Sequence, residues 1–146
     1  MSKSCRFGVA VHIGVLLALQ GTDSVTSDWI AGSVNTNPVV VRRLIAALAK
    51  AGLVRSQRGI KGGTMLAREP QHITLLDISR AVESDGDITT HNQPPNPACP
   101  VGANIVGVLL SVLERAEAAK DKELDKVTLA DLVRRVSGAD LQACKV

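Results

Sequence analysis

Asn37-Pro38-Val39-Val40-Val41-Arg42-Arg43-Leu44-Ile45-Ala46-Ala47-Leu48-Ala49-Lys50-Ala51-Gly52-Leu53-Val54-Arg55-Ser56-Gln57-Arg58-Gly59-Ile60-Lys61-Gly62-Gly63 is the stretch from which the fold is read. Asn37 is a helix cap, and Pro38 sits at the first helical position, where a missing N–H costs nothing. Val41, Leu44, Ile45, Leu48 and Ala49 repeat at helical spacing. Val39, Val40, Arg42 and Arg43 fall toward the exposed N-terminal portion. The helix is expected to run to Ala51 and stop at Gly52. Leu53 to Gln57 then reads as a strand, Arg58 to Gly63 as a glycine-rich turn, and Thr64 to Ala67 as the return strand. Upstream, Thr26 or Ser27 caps a short helix through Val34, with Asp28 favourable in its first turn. Asn35-Thr36-Asn37 is the turn between the two helices. Helix, turn, helix and glycine-tipped hairpin together make a winged helix-turn-helix.

Charge points to the same reading. From Trp29 to Arg68 there is no Asp or Glu and there are seven cations: Arg42, Arg43, Lys50, Arg55, Arg58, Lys61 and Arg68. The whole chain has 17 basic and 14 acidic residues, so the remainder holds 10 basic against 14 acidic, a net of −4, beside a segment of +7. Such segregation creates a local positive field suited to a polyphosphate backbone.

The rest of the chain sets bounds. With 45% apolar residues it can bury a core, yet Phe7 and Trp29 are its only aromatic residues and Tyr is absent. Val, Leu, Ile and Ala must do the packing, which suits helices. Scarcity of rings also argues against single-strand nucleic-acid binding. Cys5, Cys99 and Cys144 are too few and scattered for a disulfide framework, and no CxxC or Cys/His cluster suggests zinc. Lys3 and Arg6 before the apolar run Phe7–Leu19 superficially resemble a signal peptide. His12 interrupts that run, Gln20 spoils the cleavage site, and the run is too short to span a membrane. A buried first helix, Ser4 to Gln20, of a cytoplasmic protein is the expectation.

A fourth helix is expected from Thr74 to Glu83, with Leu75, Leu76, Ile78 and Val82 inward. Ser84 to Pro97 reads as a mobile loop. A long helix follows from Pro100 to Asp121, on which Val101, Ile105, Val108, Leu109, Val112, Leu113 and Ala116 form one apolar stripe. Thr128 caps a last helix to Val136, and the tail from Ser137 is expected to fray. The predicted class is mainly α with a small β-hairpin wing: a winged helix-turn-helix plus a long dimerisation helix. Residues 1–83 form the DNA-binding unit, 84–99 the loop, and 100–146 the dimerisation and C-terminal helices.

Ala46 to Ser56, Arg58-Gly59, Gly62-Gly63, Leu66-Ala67-Arg68 and Ile73-Thr74-Leu75-Leu76-Asp77-Ile78 resemble the Rrf2 family of bacterial transcription regulators. The resemblance covers nearly the whole chain. It implies a homodimer paired through the long helix, a recognition helix in the major groove and a wing at the minor groove. The recognition residues it implies are Asn37, Val39, Val40, Arg42 and Arg43, with Arg58 as the wing arginine. Several members hold an iron–sulfur cluster on three closely spaced cysteines before the long helix. Cys99 alone stands there in this chain, so no cluster and no other cofactor is expected.

The site residues follow from the chemistry of the duplex. Arg42 or Arg43 could bind guanine O6 and N7 bidentately, and Val39 or Val40 could touch a thymine methyl. Asn37 could also meet a phosphate. Thr26 and Ser27 stand at a helix N-terminus, where an anion is favoured. Arg58 suits a narrow A·T-rich minor groove, and Lys61 a phosphate. Val101, Ile105, Val108, Leu109, Val112 and Leu113 are the expected dimer interface. Cys99 precedes Pro100 at a helix start, where a thiolate is stabilised; it is either a redox sensor or an inert thiol.

The expected function is a dimeric, sequence-specific binder of double-stranded DNA acting as a repressor. The alternatives are a thiol-responsive version using Cys99, answering a small-molecule or redox effector, and a protein-interaction module acting on a metabolic enzyme. An enzyme is not expected, because no Ser/His/Asp arrangement, phosphate loop or HExxH motif is present.

Overall fold

The computed structural model describes residues 3–83 and 90–138, and these form six α-helices and a two-stranded antiparallel sheet. Helix α1 spans Lys3–Gln20, and Gly21 ends it in the left-handed conformation (φ 63°). Helix α2 (Ser27–Val34) starts at the Thr26 cap, whose Oγ1 accepts the Trp29 N–H at 3.2 Å. Helix α3 (Pro38–Lys50) starts at Asn37, whose Oδ1 accepts the Val39 N–H at 2.9 Å. Both caps satisfy amides that the helix itself leaves open.

Strands β1 (Val54–Gln57) and β2 (Gly63–Leu66) pair with Val54 opposite Leu66 and Gln57 opposite Gly63. Strand β1 starts one residue later than expected from sequence and β2 is shifted one residue toward the turn, since Leu53 and Ala67 meet only as a closing hydrogen bond, Ala67 N–H to Leu53 C=O at 3.0 Å. The pair is widened by Val25, which exchanges two backbone hydrogen bonds with Thr64 at 2.8 and 3.0 Å. A 3-10 turn at Pro70–His72, unforeseen from sequence, leads into α4 (Leu75–Val82).

One core runs through the head. Ile13 and Leu17 of α1, Ile30 of α2, Val41, Leu44 and Leu48 of α3, and Ile78 of α4 are its large buried side chains. Three local expectations are corrected. Ala49 is exposed and Ala47 is the alanine packed on the core, because it continues the flank of the Leu44–Leu48 stripe. Val40 is half-buried against the core. Leu75 is half-buried, and Ser79 joins Leu76, Ile78 and Val82 on the inner face of α4.

Helix α5 spans Pro100–Leu124, three residues beyond the expected Asp121, and helix α6 spans Leu129–Ser137. By its packing α6 joins the head, although the sequence alone groups it with the long helix. Leu129 is fully buried, and its methyls lie so close to Gly14 that a Cβ there would meet them at 3.0–3.1 Å. Two capping boxes, Thr74/Asp77 and Thr128/Asp131, open α4 and α6. The two helix starts are tied back to back: Leu75 N–H reaches Val127 C=O and Leu129 N–H reaches Ile73 C=O, both at 2.9 Å. Hydrogen bonds from the Thr128 amide and hydroxyl hold the Asp131 carboxyl below its ordinary pKa. Leu129→Ala is therefore expected to cost about 2–5 kcal/mol, since it empties a core position that ties two ends of the chain. A chemical-denaturation curve checks this, and a loss below about 1 kcal/mol would show that α6 does not belong to the core.

The loop expected over Ser84–Pro97 lies partly outside the described residues, which resume at Thr90; no helix or strand forms from there to Cys99. The tail expected to fray lies outside them beyond Gly138.

Candidate nucleic-acid interface

The candidate surface is built where α2, α3 and the wing meet. Arg42 leaves α3 sideways toward the start of α2. Its Nε donates to Ser27 Oγ at 3.1 Å, and its Nη2 approaches Asp28 Oδ1 at 3.4 Å. Arg43 is exposed on α3 and has no hydrogen bond or ion pair among the described residues. Val39 is exposed beside it, one turn earlier.

The wing is held to this surface by backbone geometry. Gly59 adopts φ 111°, a conformation that L side chains rarely take, and Gly62 N–H closes the tip on Gly59 C=O at 2.9 Å. At Gly63 a Cβ would lie 2.7 Å from the Val25 carbonyl oxygen, so only glycine allows the Val25–Thr64 bridge. Ser24 Oγ donates to the Lys61 carbonyl at 3.0 Å, tying the tip to the loop before α2. Arg58 and Lys61 project from either side of the tip, both exposed.

Between these elements lies an open cleft of about 570 Å³ whose lining includes Thr26, Ser27, Arg42, Gln57, Arg58 and Thr64. Thr26, Ser27, Arg42 and Arg58, four residues expected from sequence, thus share one concavity. Asn37, Val39 and Arg43 lie on α3 outside its lining, and Lys61 stands at the wing tip. Sequence reasoning missed Asp28 as part of this surface. It lies one residue before the acid-free stretch, and only the packing of α3 on α2 brings it to Arg42. Ile60 was missed too: it is fully exposed at the wing tip, and an isoleucine flanked by Gly59 and Lys61 in a turn was the available signal.

Cys99 caps α5 and is exposed. The Gly102 and Val101 amides at the helix start lower its thiol pKa, with slight desolvation opposing them. Asn96 shapes the approach, its carbonyl accepting the Cys99 N–H at 3.2 Å and its Oδ1 the Ala98 N–H at 2.9 Å. Helix α5 buries none of its residues in the single chain: Val101, Val108, Leu110 and Val112 are exposed, and Ile105, Leu109 and Leu113 half-buried. Leu110 was not in the expected stripe.

A capped helix-turn-helix and a hairpin wing, with Arg42, Arg43, Arg58 and Lys61 exposed on α3 and the wing, define a winged helix-turn-helix protein. Residues 3–135 match the model of the Rrf2 family, described as iron-dependent transcriptional regulators, and the chain belongs to that family. It is 38% identical over 131 residues to YwnA of Bacillus subtilis, covering 90% of this chain and 96% of that protein. It is 30% identical to CymR of B. subtilis over 149 residues, covering 94% and 92%. Both are named as HTH-type transcriptional regulators. Among solved structures, T. potens IscR superposes with a TM-score of 0.68 at 29% identity, covering 97% of this chain and 90% of that one. CymR, the global cysteine regulator of B. subtilis, gives 0.64 at 27%, covering 89% and 94%. The chain is accordingly an HTH-type DNA-binding transcriptional regulator.

The family description names iron, and the donor set tests it. Among the described residues no three His, Cys, Asp or Glu side chains converge as a metal site. Cys99 stands without a second cysteine on its loop, and thiolate clusters need three or four ligands. Among the described residues, those present do not fit a cluster held by one chain. Among the described residues no helix is long and apolar enough to cross a membrane.

Proposed function

We propose that two copies of this chain pair through α5 and bind an inverted-repeat operator as a repressor, occupying promoter DNA. Helix α3 enters the major groove of each half-site, offering Asn37, Val39, Arg42 and Arg43. Val40, half-buried, contributes mainly to packing. The wing places Arg58 in the neighbouring minor groove and Lys61 on a phosphate. Thr26 and Ser27 meet a phosphate at the start of α2, where amides and dipole favour an anion.

The observation that carries this reading is the convergence of α3 and the wing on one cleft, lined by Arg42 and Arg58, with Arg43 exposed on α3 and Lys61 exposed at the wing tip. Such a face has its strongest match in a duplex backbone, and the exposed stripe of α5 supplies the second copy. The test is selection from a random duplex library by the purified protein at moderate salt. An enriched inverted repeat is expected, with affinity falling steeply as salt rises. Enrichment of a single asymmetric site, or binding indifferent to salt, would contradict the proposal.

A further inference from the structure

On the reading that α3 occupies the major groove, we infer that its two adjacent arginines divide the work. Arg43, with Val39 beside it, reads base edges; Arg42 clamps a backbone phosphate, and Asp28 holds Arg42 in place until the phosphate arrives.

At about 100° per residue, Val39 and Arg43 fall nearly opposite the buried stripe of Val41, Leu44, Ile45 and Leu48, and so point to the groove floor. They are one turn apart and therefore neighbours on the helix surface. A guanidinium beside a methyl-bearing side chain matches a guanine O6/N7 edge next to a thymine methyl. Arg43 has no competing partner among the described residues, so its fork is available.

Arg42 departs from α3 about 100° away, on the flank facing α2 and the wing. Its bonds to Ser27 at 3.1 Å and Asp28 at 3.4 Å pull the guanidinium off the groove axis and into the wall of the cleft. The major and minor grooves adjoin across a single sugar–phosphate ridge. A protein with α3 in one groove and the wing in the next must seat that ridge between them, which is where the cleft runs. Arg42 and Ser27 then face phosphate oxygens and not bases.

Asp28 follows from the same placement. A carboxylate beside a phosphate seat repels the phosphate and competes for the arginine. The pair is exposed, so the competition is modest, of the order that exposed ion pairs show. Its effect falls on every duplex alike, because no base is involved.

Selection from the random duplex library, followed by titration of the selected and a scrambled duplex, separates these roles in the full-length wild-type, Arg42→Ala, Arg43→Ala and Asp28→Asn proteins. All three substituted side chains are exposed, and a thermal melt confirms that each variant is folded. Arg43→Ala is expected to lose preference at one base pair per half-site, about 5- to 150-fold there. Arg42→Ala is expected to keep the wild-type consensus, weaken both duplexes equally and reduce the salt slope by about one. Asp28→Asn is expected to strengthen both duplexes about two- to fivefold, and to do so less in the Arg42→Ala background. A changed consensus in Arg42→Ala, or an unchanged one in Arg43→Ala, overturns the division of labour. An Asp28→Asn gain that is the same in the Arg42→Ala background overturns the role given to Asp28. If the wild-type protein itself enriches no sequence, the groove reading fails, and the inference falls with it.

Discussion

Arg42→Glu combined with Arg43→Glu is expected to abolish duplex binding while leaving the head folded. Both side chains are exposed on α3, and neither contributes to the core. Glutamate has nearly the same helix propensity as arginine, so α3 itself is not weakened. The double change takes the Trp29–Arg68 segment from +7 to +3, because each replacement removes one cation and adds one anion. Two counterion-releasing contacts disappear, and two carboxylates face phosphates, a juxtaposition that costs several kcal/mol. Affinity is expected to fall about 10³-fold or more, to or below sequence-independent binding. The Arg42–Asp28 pair becomes a repulsion between exposed carboxylates, which shifts the melting temperature by only a few degrees. Fluorescence anisotropy on the selected operator, with a thermal melt by circular dichroism, reads both quantities. Operator affinity equal to that of the wild type would remove α3 from the interface.

Much of this surface was legible from the chain before its fold was seen, and the reason is local. Asn37 before Pro38, Thr26 before Ser27, and Gly59 in the turn act on their own neighbourhoods, so each feature survives whatever packs around it. The cationic segment is legible for the same reason, as a matter of which residues are missing. What the sequence concealed was set by contacts between distant segments. Asp28 reads as a helix-start acid until α3 delivers Arg42 to it, 14 residues away in the chain. The Val25–Thr64 bridge, which makes Gly63 obligatory, joins two segments that no local pattern connects. Ala47 and Ala49 lie on opposite flanks of the buried stripe, about 160° apart on the helix wheel, and which flank the rest of the head covers is set by tertiary packing. The placement of α6 on α1 rests on the fit of Leu129 against Gly14, which amphipathic spacing alone does not express. The Thr-x-x-Asp boxes at 74–77 and 128–131 were visible, but not that they would pair.

Val108→Glu combined with Val112→Glu is expected to give a folded monomer with a severe loss of operator affinity. Helix α5 has 25 residues and so extends about 37 Å, and it buries none of them within its own chain. Val101 is 67% exposed, Val108 57% and Val112 46%, a run of apolar surface along one helix that a solitary soluble chain rarely leaves in water. The head has its core complete without this stripe, since Leu129, Ile78 and their neighbours are already buried. A second copy is the economical cover, because a two-fold axis buries the same stripe twice. Each valine so covered contributes about 1.5–3 kcal/mol, and a glutamate in its place must be desolvated without a partner. The head should melt as before, since among the described residues the charge link from α5 to α4 is the single pair Arg80–Asp121, at 3.7 Å. What is lost is bivalency: two heads on one rigid spacer gain about 10²–10⁴ over one. Sedimentation at micromolar protein should show the monomer mass, binding to the full inverted repeat should weaken by about that factor, and binding to a duplex with a single half-site should not change. Two heads held by α5 predict that contrast between full and half sites; a helix that merely awaited its own domain would give none, and a variant that stayed dimeric would move the interface to another surface.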